Sequence, residues 1–155
     1  MNARGTLVLA VAALMLASLS GCSHFVVLHD PLSAAEHNDL GVAYEAKGEL
    51  DLAASEYRHA LRLDPHRAEV RVNLGNIEAA RGRWRSAEKC YRRALTDSST
   101  DVDAMNNLAI ALLRQDRQLE EARSLAERAV AAGSVRDSIY RATLAEVKAG
   151  RRGRP

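Results

Sequence analysis

Sliding the 155-residue chain against itself gives one clear register, an offset of 34 residues. Leu40-Gly41 returns as Leu74-Gly75, Gly48 as Gly82, Ala53 as Ala87, Tyr57 as Tyr91 and Ala60-Leu61 as Ala94-Leu95. A third copy follows with one inserted residue: Leu108-Ala109 matches Leu-Gly, Ala122 matches Ala87 and Ala129-Val130 matches Ala94-Leu95, with Arg117 at the glycine place and Ala126 at the tyrosine place. A unit this short cannot bury its apolar face alone, so successive copies must stack and share one continuous core.

Straight-chain helix formers and alanine dominate, and aromatics are only 4% of the chain, which favours helix because such side chains lose little rotamer freedom there. The expected fold is all-α. Gly48 and Gly82 would end the first helix of each unit, since glycine enters the left-handed region without steric cost. Asp64-Pro65 would stop the second helix of unit one, because proline disfavours helical geometry in the residue before it. Ser33 followed by Glu36 reads as a capping box. Gly41, Gly75 and Ala109 on first helices, and Ala53, Ala87 and Ala122 on second helices, are small where two antiparallel helices approach, and Tyr57 and Tyr91 fill the space between units.

The order Leu40, Gly41, Tyr44, Gly48, Ala53, Tyr57, Ala60, Pro65 resembles the tetratricopeptide repeat, from Ala34 to about Arg136. The second unit departs at Glu78, in place of the first aromatic, and at Ser99, in place of the final proline. The resemblance implies a helical-hairpin solenoid of three units, about 34–67, 68–101 and 102–136. A capping helix at 137–149, with Ile139, Tyr140, Leu144 and Val147 at helical spacing, resembles the first helix of a fourth unit. A basic tail, 150–155, follows. The resemblance also implies a concave groove lined by the first helices, whose ligand-facing side chains would be Asn38, Glu45, Glu69, Asn73, Asn76, Asp103, Asn106 and Arg114, with Val42, Val72, Ala80 and Ile110 among them. Asn73 sits where the family also uses an inter-repeat strut. Members that capture acidic chaperone tails use Lys, Asn, Asn, Lys and Arg at five places held here by Asn38, Val42, Asn73, Asp103 and Asn107. Only Asn73 agrees, so such a tail is not the expected ligand. Glu45, Glu69 and Asp103 outnumber Arg114, which points to a neutral or basic ligand.

Residues 1–21 read as a signal peptide. Arg4 supplies the positive end, Leu7 to Leu19 is uncharged and apolar, and Ser20-Gly21 are small. Thirteen helical residues reach about 20 Å against roughly 30 Å of bilayer hydrocarbon, too short for a comfortable span. Leu19-Ser20-Gly21-Cys22 resembles the lipobox of bacterial lipoproteins, which implies a covalent lipid on Cys22. Ser23, where an Asp would resemble an inner-membrane retention signal, favours the periplasmic face of the outer membrane. Residues 22–33 form a tether whose Phe25 to Leu28 either pack on the first unit or graze the lipid.

The net charge is +2, but removing Arg4 and the tail's Lys148, Arg151, Arg152 and Arg154 leaves 17 basic against 20 acidic side chains. That body does not suit nucleic acid, which needs a basic stripe on one face. With Cys22 lipidated, Cys90 is the remaining thiol, expected to act as a small buried hydrophobe. The histidines His24, His29, His37, His59 and His66 show no metal-ligand spacing, and neither a nucleophile elbow nor a phosphate loop is present. Trp84 is expected in the core rather than as a sugar platform. The reading is a lipid-anchored, non-enzymatic scaffold without a cofactor, binding a peptide or partner protein in the groove. The alternatives are direct peptidoglycan binding, or an accessory role in a pilus, secretion or peptidase system. Oligomeric state is not legible.

Overall fold

Ser33 opens the first helix by the predicted reciprocal bonds: its backbone N–H donates to Glu36 Oε2 at 2.7 Å, and Glu36 N–H donates to Ser33 Oγ at 3.3 Å. The computed structural model describes residues 30–133 and 135–150. The signal segment, Cys22, most of the tether and the tail beyond Gly150 lie outside them. Two units are distinguished, Met1–Pro31 and Leu32–Pro155, and all the helices described belong to the second.

Those helices are α1 (Ala34–Ala46), α2 (Leu50–Leu63), α3 (Ala68–Ala80), α4 (Trp84–Asp97), α5 (Val102–Arg114), α6 (Leu119–Ala131) and α7 (Asp137–Gly150). No strand occurs among the described residues. Consecutive helices pair as three hairpins, α1 with α2, α3 with α4 and α5 with α6, and each hairpin packs on the next, with α7 against α6 and α5. The result is an all-α repeat solenoid closed by one unpaired helix.

The hairpin turns explain the glycines. Gly48 and Gly82 stand at φ +75° and +70°, which lets Glu49 N–H reach back to Tyr44 O and Arg83 N–H to Glu78 O, both at 2.9 Å. In the third hairpin Arg117 N–H reaches Leu112 O at 3.1 Å in the same way, so the residue at the glycine place is Asp116, at φ +54°. This corrects the expectation for Arg117. Aspartate is among the few side chains that enter the left-handed region readily. The inserted residue falls after it, where Gln118 is also left-handed at φ +49°. Ser98 takes φ −142°, ψ 93°, close to Asp64 at φ −135°, ψ 96°, so the second unit makes the same exit without the proline.

The repeat glycines fit one partner each. A Cβ on Gly41 would lie 2.5 Å from Tyr57 Cε1, and a Cβ on Gly75 would lie 2.5 Å from Tyr91 Cε1. Each tyrosine ring therefore packs directly against the opposite helix of its own hairpin, while it also joins a core shared with the next one. In the third hairpin both partners change together: Ala109 replaces the glycine and Ala126 the tyrosine, and both are fully buried. With no ring at 126, a methyl group at 109 has room.

Three expectations about burial change. Ile139 is 54% exposed, and α7 instead buries Tyr140, Thr143 and Val147, the i, i+3, i+7 stripe of one face. Cys90 on α4 is half-buried, with burial and the nearby Glu78 carboxylate pushing its thiol pKa up. Trp84 is half-buried as well, packed on the core with one side left open.

Candidate functional site

At the 34-residue offset the first helices present equivalent triplets, and their fates differ by level. Asn38, Val72 and Asn106 form one triplet, and all are interior, at 5%, 6% and 3% exposure. The expectation that Asn38 and Asn106 offer their amides to a ligand is therefore not met. At this level the side chains are buried in the packed interior instead. Asn38 Oδ1 accepts from Asn73 Nδ2 at 3.1 Å, which makes Asn73 the inter-repeat strut, and Asn106 Nδ2 donates to Asn107 Oδ1 at 3.2 Å.

Two further expected groove residues are committed to α7. Asp103 accepts from Arg136 Nη1 at 2.8 Å on both oxygens and from Tyr140 Oη at 2.9 Å. Arg114 pairs with Glu146 at 3.0 Å. They fasten the capping helix. Glu69 is exposed and forms no ion pair among the described residues.

Glu45 and Asn76 remain at the groove surface, each tied to the tyrosine of its hairpin. Tyr57 Oη donates to a Glu45 carboxylate oxygen at 2.8 Å, and burial together with that acceptor holds the Tyr57 pKa well above the ordinary phenol value. In the second hairpin the residue equivalent to Glu45 is Ala79, which has no acceptor. Tyr91 Oη donates instead to Asn76 Oδ1 at 2.9 Å, and Asn107 Nδ2 donates to the same oxygen at 2.9 Å. Burial is the main cause raising the Tyr91 pKa. The Asn76 Nδ2 group donates to no oxygen among the described residues, because both bonds to this side chain use its oxygen.

Between α3 and α5, at that level, lies a cleft of about 280 Å³. Its apolar surface comes from Ala79, Ala80 and Ile110, with Trp84 and Tyr91 contributing aromatic surface, and its polar rim is Asn76 and Asn107. Sequence reasoning put Asn76, Ala80 and Ile110 on this surface and missed the contribution of Ala79, Trp84 and Tyr91. The available signal was the triplet Glu45, Ala79, Leu113, in which the middle member alone is small, next to the only tryptophan of the chain.

Two models of the tetratricopeptide repeat match this chain, over residues 44–95 and 72–136. The chain is a tetratricopeptide-repeat protein. Solved repeat domains share the fold. The first tetratricopeptide-repeat domain of Spaghetti (RPAP3) bound to the HSP90 peptide SRMEEVD superposes with a TM-score of 0.70 at 18% identity, covering 77% of this chain and 94% of that one. A domain in the TPR2B–pHsp70 complex of yeast Sti1 gives 0.70 at 16% identity, covering 75% and 96%. The Arabidopsis OM64 repeat domain gives 0.69 at 15% identity, covering 75% and 94%. A human curated relative, protein O-mannosyl-transferase TMTC1, is 36% identical over 74 residues, which is 48% of this chain and 8% of that protein. The likeness is confined to a short stretch of a much longer protein.

Proposed function

We propose that this tetratricopeptide-repeat protein is a non-catalytic adaptor of the bacterial cell envelope, held to a membrane by a lipid on Cys22 and presenting its groove to an extended segment of a partner protein. The observation that carries the reading is the Asn76–Asn107 pair at the mouth of the α3–α5 cleft. Its oxygen is saturated from within the protein, and its Nδ2 group is left to donate outward. An amide fixed this way can bond the main-chain carbonyl of a bound segment whatever side chains that segment carries. The repeat domains that share the fold include one bound to the acidic peptide SRMEEVD. This groove has Glu45 and Glu69 on its surface, and its cation Arg114 is paired, so an acidic tail is disfavoured here. The lipobox-like Leu19-Ser20-Gly21-Cys22 supports the anchor, and Ser23 supports the outer membrane. Among the described residues no helix is long and apolar enough to cross a membrane.

The test places a photo-crosslinking amino acid at Asn76 or, as control, at the exposed Lys89 on α4, in the full chain expressed in its native envelope. One dominant adduct from position 76 that is absent from position 89 is the expected result. Adducts of equal pattern from both positions refute the groove. Sedimentation of the purified protein with isolated sacculi, unaffected by changes at Asn76, would favour glycan binding instead.

A further inference from the structure

The two junctions between hairpins, and the junction of the third hairpin with α7, differ in content at one level of the groove. At the first, Glu45 occupies the level of Ala79, and its carboxylate takes the Tyr57 hydroxyl. At the third, Leu113 occupies it and comes within reach of Gly150 on α7. At the second, Ala79 puts only a methyl group at this place, and a cleft of about 280 Å³ lies there over Trp84 and Tyr91. The small side chain of Ala79 distinguishes this junction from the other two. The cleft has the size and apolar lining for one large side chain, and the free Asn76 donor sits at its rim.

One carboxylate flanks it. Glu45 lies on α1 at the same height along the helices, half-buried and without a cation partner among the described residues. The neighbouring Lys47 lies over the Tyr44 ring at 5.9 Å. Adjacent helices are spaced by about 8–10 Å, and an extended chain advances about 3.3 Å per residue. A peptide crossing from the α3–α5 cleft toward α1 therefore moves about three residues per hairpin.

Resting on the groove reading above, we propose that the ligand is an extended peptide with one large apolar residue, seated in the α3–α5 cleft, and a Lys or Arg about three positions away facing Glu45. Asn76 Nδ2 bonds the peptide carbonyl between them. Because the cleft has no cationic lining residue, a carboxylate in either position is rejected.

The chain's only tryptophan lines the cleft, so its fluorescence reports occupancy directly. Labelled peptides Gly-Ser-X-Gly-Ser-Y-Gly-Ser, and the series with X and Y exchanged, are titrated into detergent-solubilised full-length protein, with X as Leu or Ala and Y as Lys, Ser or Glu. Anisotropy reads total binding and Trp84 emission reads the cleft. X as Leu should bind about tenfold or more tighter than X as Ala, from burial of one apolar side chain, with a blue shift of Trp84 that X as Ala does not produce. Lys should be preferred to Glu at Y. Ala79→Leu should abolish the Leu preference, and it is expected to fold because Leu113 occupies the equivalent place. Glu45→Gln keeps an acceptor for Tyr57 and should erase the Lys preference alone. Equal affinity for X as Leu and Ala, no Trp84 shift with any X as Leu peptide, or a Leu preference that survives Ala79→Leu overturns the cleft assignment. Indifference to Y in the wild type overturns the Glu45 contact. The crosslinking test distinguishes the two levels: adducts at Asn76 together with no Leu preference leave the groove standing and remove only this inference.

Discussion

Gly75 and Tyr91 should be coupled strongly enough that one substitution changes sign. In the native protein Gly75→Ala drives a methyl group to about 2.5 Å from Tyr91 Cε1, with the ring's Cδ1 and Cζ at 2.9 and 3.0 Å. The ring is part of the closely packed core and only 2% exposed, so it cannot swing into solvent, and overpacking of this kind costs about 1–3 kcal/mol. Tyr91→Ala by itself should cost about 3–5 kcal/mol, as large aromatic truncations do. In that background the methyl group at 75 meets no ring, and helix propensity then favours alanine over glycine by about 0.5–1 kcal/mol. Gly75→Ala should thus destabilise the wild type and stabilise the Tyr91→Ala protein, a coupling of about 1.5–4 kcal/mol. The double variant is the pair that the third hairpin already uses at Ala109 and Ala126. Urea unfolding followed by circular dichroism at the helix band, on all four members of the cycle, gives the coupling. Equal destabilisation by Gly75→Ala in both backgrounds would refute the Gly–Tyr packing argument and with it the repeat register.

Cys22→Ala should abolish incorporation of radiolabelled palmitate while the helical signal of the repeat domain persists; label in the variant would refute the lipobox. Gly82→Ala should cost about 1–2 kcal/mol, because a Cβ is disfavoured at its φ of +70°, and an unchanged urea midpoint would count against that turn. Arg92 bonds Glu88 at 2.9 Å and Glu121 at 2.6 and 2.9 Å, joining the second and third hairpins. Burial works to raise the Glu88 carboxyl, but hydrogen bonds from Arg92 and Gln115 outweigh it. The Arg92 bond is the main cause that lowers Glu121. Both pKa values lie below the ordinary 4.5 in the folded protein, so their stabilisation is complete above that value and is lost as pH falls through the folded ones. Arg92→Met should lower stability near neutrality by up to about 1 kcal/mol, and its deficit should shrink in acid. A deficit that is constant from pH 7 to pH 3 would show the loss to be packing rather than charge.

Local chemistry settled much of this architecture in advance. The 34-residue recurrence sets the hairpin unit, while the left-handed glycines, the Ser33–Glu36 cap and the Asp64-Pro65 stop act within one or two turns of chain, where neighbours in sequence are neighbours in space, and all appear where their residues predict. What sequence could not supply was the rotation of each first helix against its neighbour. Asn38, Asn106 and Asn76 are all groove-candidate amides on a repeat pattern, yet helix packing buries two and leaves one at the surface, one helical turn away. Asp103 and Arg114 look like groove charges until α7 and the turn before it supply Arg136, Tyr140 and Glu146 as their partners, contacts across more than thirty residues of chain. The cleft itself is a tertiary object, because a small side chain such as Ala79 produces space only when the helices around it are held apart by larger residues at other levels.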